Sequence, residues 1–189
     1  AIPAGRIMSN AGALEHKPAT STINCTVSGN EADDDGGAFF NASTGNLTLQ
    51  NTLIWNNESN GQTTITDASV TDLSNAVTYA NCAVANISVS GIVSSSDPGF
   101  VQDINLSITT LPSTAGDFHP TAAGVFFNLG QNNFNTEAFD LDGIPRIQNS
   151  IIDIGVYEQN SCANFSGIVY VDANATGNNS GLNWTNAFT

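Results

Sequence analysis

Positive charge is what this sequence lacks most. It has only three cationic residues, Arg6, Lys17 and Arg146, against seventeen acidic ones, for a formal net charge of −14. Such a surface repels the phosphates of nucleic acids and of anionic membranes, because binding to them needs clustered Lys and Arg. We therefore expect no nucleic-acid partner. A run of about eighteen apolar residues, the minimum for a spanning helix, is also missing, so we expect no membrane insertion.

Cysteine is scarce as well. Cys25, Cys82 and Cys162 are widely spaced and form no CxxC or other metal-ligand pattern. Cys25 lies within an apolar alternation, which predicts a small buried side chain. A disulfide between Cys82 and Cys162 is an open alternative, because spacing alone does not decide it.

What the sequence does contain favours β-structure. It is 40% hydrophobic and only 11% charged, and its polarity comes from Asn, Ser, Thr and Gly. Amphipathic helices normally carry charged outer faces, whereas strands and tight turns do not need them. The composition therefore predicts an all-β fold.

A weak internal repeat refines this prediction. Residues 23–30 (INCTVSGN) and 50–57 (QNTLIWNN) are short alternating segments that end in Asn, twenty-seven residues apart. Such a period predicts a parallel β-solenoid, whose coils each contribute short strands to shared sheets. Asn suits the corners because it tolerates left-handed backbone and stacks into side-chain ladders. An antiparallel sandwich of short strands is the alternative.

Several motifs resemble a known family. The run NCTVSGNEADDDGGAFFN followed by LTLQNTLIWNN resembles the right-handed parallel β-helix repeats of the pectate-lyase-like superfamily. Residues 97–101 (DPGFV) and 117–132 resemble the degenerate coils that follow in that family. DLDGIPR (140–146) and DIGVYE (153–158) resemble the terminal signature of choice-of-anchor Q type β-helix proteins. The resemblance implies a right-handed parallel β-helix with degenerate C-terminal coils, in a large extracellular protein of the bacterial cell surface, common in Bacteroidetes and related bacteria.

The same motifs predict the domain organisation. Residues 1–160 would form the β-helix with its closing segment, and residues 161–167 a connector. Residues 168–189 (IVYVDANATGNNSGLNWTNAFT) resemble the N-terminal capping segment of these β-helices. We therefore expect 168–189 to open a following module or to cap a neighbouring subunit, and the chain to be a section of a longer, repetitive protein. Its partners would be other modules or subunits of that protein.

An acidic run is the candidate metal site. Glu31, Asp33, Asp34 and Asp35 precede Gly36 and Gly37, and carboxylate oxygens with a tight glycine corner are suited to Ca²⁺. The alternative is a solvated loop, because consecutive residues of an extended loop point in alternating directions.

A second acidic motif is better explained structurally. Asp140 and Asp142, before Gly143, imitate the start of a calcium loop, but Ile151 stands where an EF-hand needs Glu. Arg146 is the only cation in the second half of the chain, so we expect it to fasten the last coil through an ion pair. The candidate partners of Arg146 are Asp140, Asp142, Asp153 and Glu158.

The aromatic residues offer a candidate glycan platform. In strands alternate side chains face inward, so one of Phe39 and Phe40 would point outward and join Trp55. Core packing is the alternative. His16 and His119 are isolated, with His119 expected in a turn or packing role, and we find no carboxylate, His and Arg set of the kind that glycosidases or lyases use.

The sequence thus favours a non-catalytic structural or adhesive repeat of an extracellular protein, with Ca²⁺ as a candidate ligand. The alternative is a carbohydrate-binding or lyase-like β-helix that acts on an extracellular polysaccharide.

Overall fold

A computed structural model gives the fold of the chain. It describes residues 7–8, 14–15, 20–32, 36–41, 46–59, 70–72, 76–105, 109, 111, 113–121, 124–148, 150–159, 170–177, 184–185 and 187. The chain divides into two compact units, Ala1–Gln159 and Asn160–Thr189. The described residues form β-strands and a short 3₁₀ helix, Asn132–Phe134, which confirms the all-β prediction. Within these ranges no helix has the length and apolarity needed to cross a membrane.

Parallel strands build most of the first unit. The largest sheet, sheet A, contains in spatial order β1 (Ile7–Met8), β4 (Thr26–Ser28), β8 (Leu53–Trp55), β12 (Cys82–Val84) and β13 (Ile92–Ser94). Sheet B contains β2 (Leu14–Glu15), β6 (Phe39–Asn41) and β10 (Val70–Asp72). Sheet C contains β3 (Thr20–Ile23), β7 (Leu47–Gln50) and β11 (Val77–Ala80). A fourth sheet pairs β5 (Glu31–Ala32) with β9 (Glu58–Ser59).

Successive passes of the chain visit these sheets in the same order. From β3 to β12 the chain runs twice through sheet C, sheet A, the β5–β9 sheet and sheet B, and then returns to sheets C and A. Thr26 pairs with Leu53, twenty-seven residues later, and Leu53 pairs with Ala83, thirty residues later. Neighbouring strands are therefore about one pass apart, which supplies the long crossover connection that parallel pairing requires.

The core lies between the sheets. Val27, Ile54 and Val84 occupy equivalent positions on three paired strands of sheet A, and each is fully buried. They pack in one cluster with Phe39 of sheet B and Leu49 of sheet C. Burial of each such side chain contributes about 1.5–3 kcal/mol, so like residues stacked from pass to pass form a continuous apolar column.

Asparagine turns the chain between sheets C and A. Asn24, Asn51 and Asn81 have φ values of 51°, 46° and 52°, in the left-handed region that Asn tolerates better than most residues. The Asn51 side-chain amide donates to the Asn24 carbonyl oxygen at 3.0 Å. Backbone hydrogen bonds link the same corners, from Asn24 N–H to the Gln50 oxygen and from Asn51 N–H to the Ala80 oxygen. The prediction that Asn would occupy left-handed, laddered corners is confirmed.

A second pair of asparagines follows sheet A. The Asn30 side-chain amide donates to Asn57 Oδ1 at 2.9 Å, and the Asn57 amide donates to the Val27 carbonyl oxygen at 3.0 Å. Both residues are buried, so these bonds satisfy polar groups that would otherwise be costly to remove from water.

Residues 97–159 depart from the parallel pattern. β14 (Phe100–Gln102) pairs antiparallel with β15 (Asp117–Pro120), and β16 (Ile147–Gln148) pairs antiparallel with β17 (Ile151–Ile152). The segments expected to form degenerate coils therefore add no strand to sheets A to C. They cover the outer face of sheet A instead, where a second apolar cluster joins Leu53 and Ala83 to Phe126 and Ile154. We call residues 124–159 the closing segment.

The two described cysteines are buried thiols, each 0% exposed. Cys25, predicted as a small buried side chain, follows the corner at Asn24, and Cys82 follows the corner at Asn81. Burial raises the pKa of Cys82 to about 11 despite backbone hydrogen bonds, so this thiol stays protonated near neutral pH. Cys162 lies outside the described residues.

The second unit is described only in part. The rings of Tyr170 and Trp184 meet edge to face with centroids 4.9 Å apart, and Gly177 N–H donates to the Thr185 carbonyl oxygen at 2.9 Å. The connector at 161–167 lies outside the described residues. The role expected for 168–189 stays a prediction.

Replacing Asn51 with Ala tests the corner ladder. The variant loses the side-chain bonds to Asn24 and Gln131 and puts Ala in left-handed backbone, so we expect a loss of about 3 kcal/mol in the free energy of unfolding. The matched control is Asn86→Ala, at an exposed corner with φ 59°, which should cost only about 1 kcal/mol. Urea denaturation measures both, and equal losses would contradict the role of the ladder.

Candidate functional site

A buried ion pair lies at the centre of the closing segment. Arg146 is 2% exposed, and its Nη1 atom lies 3.2 Å from Oε1 of Glu158, itself almost fully buried. Arg146 Nη2 also donates to the carbonyl oxygen of Gly155 at 2.9 Å. The only cation of the second half of the chain is thus fixed beneath the loop that follows β17.

Two other predicted partners of Arg146 hold backbone groups instead. The Asp140 carboxylate accepts the N–H groups of Ile144 at 2.8 Å and of Glu158 at 2.9 Å. The Asp153 carboxylate accepts the N–H groups of Asn128 at 2.6 Å and of Gln159 at 2.7 Å. These carboxylates therefore join the two ends of the closing segment to its turns.

Burial dominates the electrostatics of this group. It raises the pKa of Glu158 to about 8, although Arg146 acts in the opposite direction. Burial also raises the pKa of Asp153 and lowers the pKa of Arg146. Removing these charges from water costs more than their attraction returns, as is common for buried ion pairs.

His119 joins β15 to the turn at 140–143. Its Nδ1 atom contacts the Asp117 carboxylate, and its Nε2 atom lies 2.8 Å from Oδ2 of Asp142. Its ring stacks on Tyr157 with centroids 3.9 Å apart. Partial burial lowers the pKa of His119, but the hydrogen bonds and charges of the two carboxylates outweigh it, and the net pKa is raised. Asp142, predicted near Arg146, is thus engaged by histidine.

An aromatic cleft opens beside this histidine. It has a volume of about 280 Å³, and Asp153 is the charged residue among its described lining residues. The rings of Phe100 and Phe118 meet edge to face at 5.2 Å. Two prolines and two aliphatic side chains complete the wall. The lining rings are Phe100, Phe118, Phe126, Phe127 and Tyr157.

The predicted glycan platform is not assembled. Phe39 is 2% exposed and belongs to the core, so it offers no face to a sugar. Phe40 lies on the same strand of sheet B and is half-buried, whereas Trp55 lies on sheet A. Trp55 packs against the cluster that the closing segment covers. Alternation along β6 turned Phe39 inward, as the core-packing alternative required.

The acidic run is only partly visible. Asp33, Asp34 and Asp35 lie outside the described residues, and half-buried Glu31 sits on β5 in register with Glu58. Across the described ranges no group of three or more His, Cys, Asp or Glu side chains is placed to hold a metal ion. His16 also lies outside these ranges. Calcium binding by the run stays a prediction.

Comparisons with protein-family models, with curated proteins and with solved structures found no match to this chain. The structure and the chemistry of its residues therefore carry the functional argument.

Sequence reasoning missed the aromatic cleft. Its rings come from separate motifs, DPGFV, DFHP, GVFFN and DIGVYE, that only the fold brings together. The available signal was the concentration of aromatic residues between residues 100 and 157, in a region that otherwise contains many Asn, Ser and Thr.

Replacing Glu158 with Gln tests the buried carboxyl. Its folded pKa of about 8 lies above the ordinary 4.5, so the folded state binds more protons between these values. The free energy of unfolding therefore falls as pH rises from about 4.5 to about 8. In Glu158→Gln we expect this fall to shrink by on the order of 2 kcal/mol.

Urea denaturation at several pH values measures this slope. The control is Glu137→Gln, which removes one exposed carboxylate and should keep the slope of the unchanged protein. An equal slope in Glu158→Gln and the unchanged protein would show that Glu158 does not carry the extra proton.

Replacing His119 with Gln tests the contact with β15. Because the folded pKa of His119 is raised above 6.5, its stabilisation is complete below that value and is lost as pH rises through the folded pKa. The side chains involved are 40–45% exposed, so solvent screening limits the loss in His119→Gln to less than about 1 kcal/mol at low pH.

The loss should be present near about pH 5.5 and absent near about pH 9, as measured by thermal unfolding at both values. Asp142→Asn, which removes only the partner of Nε2, should reproduce part of it. A loss of the same size at both pH values would mean that His119 acts through packing alone.

Proposed function

We propose that this chain is a non-catalytic structural module of an extracellular bacterial surface protein, built as a right-handed parallel β-helix. The observation that carries the proposal is the repeated passage through the same sheets at steps of twenty-seven and thirty residues. In a solenoid each coil pairs with the coils above and below, so stability comes from neighbour contacts repeated along the axis.

The corner ladders support this architecture. Asn24, Asn51 and Asn81 lie at equivalent corners with nearly equal φ values, and Asn30 and Asn57 repeat the arrangement at another corner. A stack of like corners keeps the strands of adjacent coils in register, which a sandwich of antiparallel strands does not require.

The chemistry of the first unit supports a structural role. The polar groups that the fold brings together are used to fix the chain: Arg146 by Glu158, and the turn at 140–143 by His119. A net charge of −14 keeps such a surface soluble. The outer edges of β1 and β13 in sheet A are places where a neighbouring module of the same protein would pair, since exposed strand edges need cover.

The carbohydrate-binding alternative has weaker support. Its proposed platform loses Phe39 to the core, and the cleft in the closing segment is lined almost entirely by apolar side chains. A sugar site needs donors and acceptors beside its rings.

Surface labelling tests the proposal. Antibodies raised against residues 1–159 should label intact, unpermeabilised cells of the source organism, and the purified chain should release no product from uronate-containing polysaccharides. An antibody against a cytoplasmic protein of the same cells is the control. Labelling only after permeabilisation would refute the surface location, and release of unsaturated oligosaccharides would refute the non-catalytic role.

A further inference from the structure

The aromatic cleft points to a ligand that a structural role does not explain. We propose that it binds a small organic cation carrying a quaternary ammonium group, of about the size of choline. The inference goes beyond the structural function and does not depend on it.

The lining of the cleft suits such a cation. Five aromatic rings line a space of about 280 Å³, near the lower limit for small-molecule sites. Phe100, Phe127 and Tyr157 are half-buried, so they are partly open to solvent, whereas Phe118 and Phe126 are 5% and 4% exposed. Ring faces carry negative charge density and attract cations that shed water easily, as quaternary ammonium groups do.

The charges around the cleft have the matching sign. Asp153 lines it, Asp97 precedes the lining residue Pro98, and Asp117 precedes Phe118. The described cations nearby are already engaged. His119 lies between two carboxylates, Asp117 and Asp142, and Arg146 is paired with Glu158. A cation in the cleft would therefore enter a negative field that no described neighbour neutralises.

A neutral polar ligand fits less well. Both oxygens of the Asp153 carboxylate accept backbone N–H groups, so the charged lining residue has little capacity left for the hydroxyl groups of a sugar. A purely apolar ligand would gain from the rings but would make no use of the surrounding carboxylates.

An NMR titration of the ¹⁵N-labelled chain tests the proposal. Choline chloride is added at constant ionic strength, and the neutral carbon isostere of choline, 3,3-dimethylbutan-1-ol, is added in a parallel titration. We expect saturable shifts in the amides of residues 124–127 and 153–157 with choline, and at least about tenfold weaker binding of the isostere.

A variant locates the site. Phe127→Leu keeps an apolar side chain but removes one ring, and should weaken choline binding about tenfold. Phe139→Leu is the control, because Phe139 is 60% exposed and does not line the cleft. Amide spectra of both variants show whether they remain folded, and Phe100→Leu replaces Phe127→Leu if that variant does not.

Three results would overturn the proposal. If the isostere binds as tightly as choline, the cleft is an apolar pocket with no preference for cations. If neither compound produces saturable shifts, the cleft is not a site for this class of ligand. If choline binds equally to the unchanged protein and to the folded ring variant, the binding lies elsewhere on the chain.

Discussion

The left-handed corner at asparagine is the constraint on which the rest of the first unit depends. Asn24, Asn51 and Asn81 each turn the chain from sheet C into sheet A, and the side-chain bond from Asn51 to Asn24 fixes one corner above the other. With the corners aligned, the apolar residues that follow them fall at equivalent heights, and the column of Val27, Ile54 and Val84 forms. A side chain that disfavours positive φ would strain each turn, so the packing of the core follows from the corner.

The closing segment uses the same corners from outside. Gln131 N–H donates to Asn51 Oδ1, and the Asn81 amide donates to the Leu129 carbonyl oxygen. This contact buries the outer face of sheet A, which explains why its strands carry apolar residues on both faces, as is typical of parallel sheets covered on both sides. The ion pair of Arg146 and Glu158 then holds the closing segment in its own shape. The same segment also contributes part of the aromatic cleft, so stability and the proposed ligand site share one element.

Sequence reasoning reached the periodic part of this fold and missed the rest for physical reasons. The twenty-seven-residue repeat and the role of Asn at its corners are local signals that recur, so they could be read directly. The antiparallel pairing of residues 100–102 with 117–120 involves no repeat, and nothing local distinguishes it from another coil. Arg146 was an obvious anchor, but four carboxylates competed for it. Asp140 and Asp153 were claimed by backbone N–H groups, a demand that only the folded chain reveals.

The most direct test of the account is to detect the hydrogen bonds between passes of the chain. Long-range NMR couplings transmitted through hydrogen bonds identify the donor and the acceptor without reference to any structure. The account predicts a coupling from Leu53 N–H to the carbonyl of Cys25 and another from Ala83 N–H to the carbonyl of Thr52, the pairs that lie 2.8 Å and 3.0 Å apart. Couplings that instead join these strands in antiparallel register, or to other partners, would contradict the stacked parallel architecture.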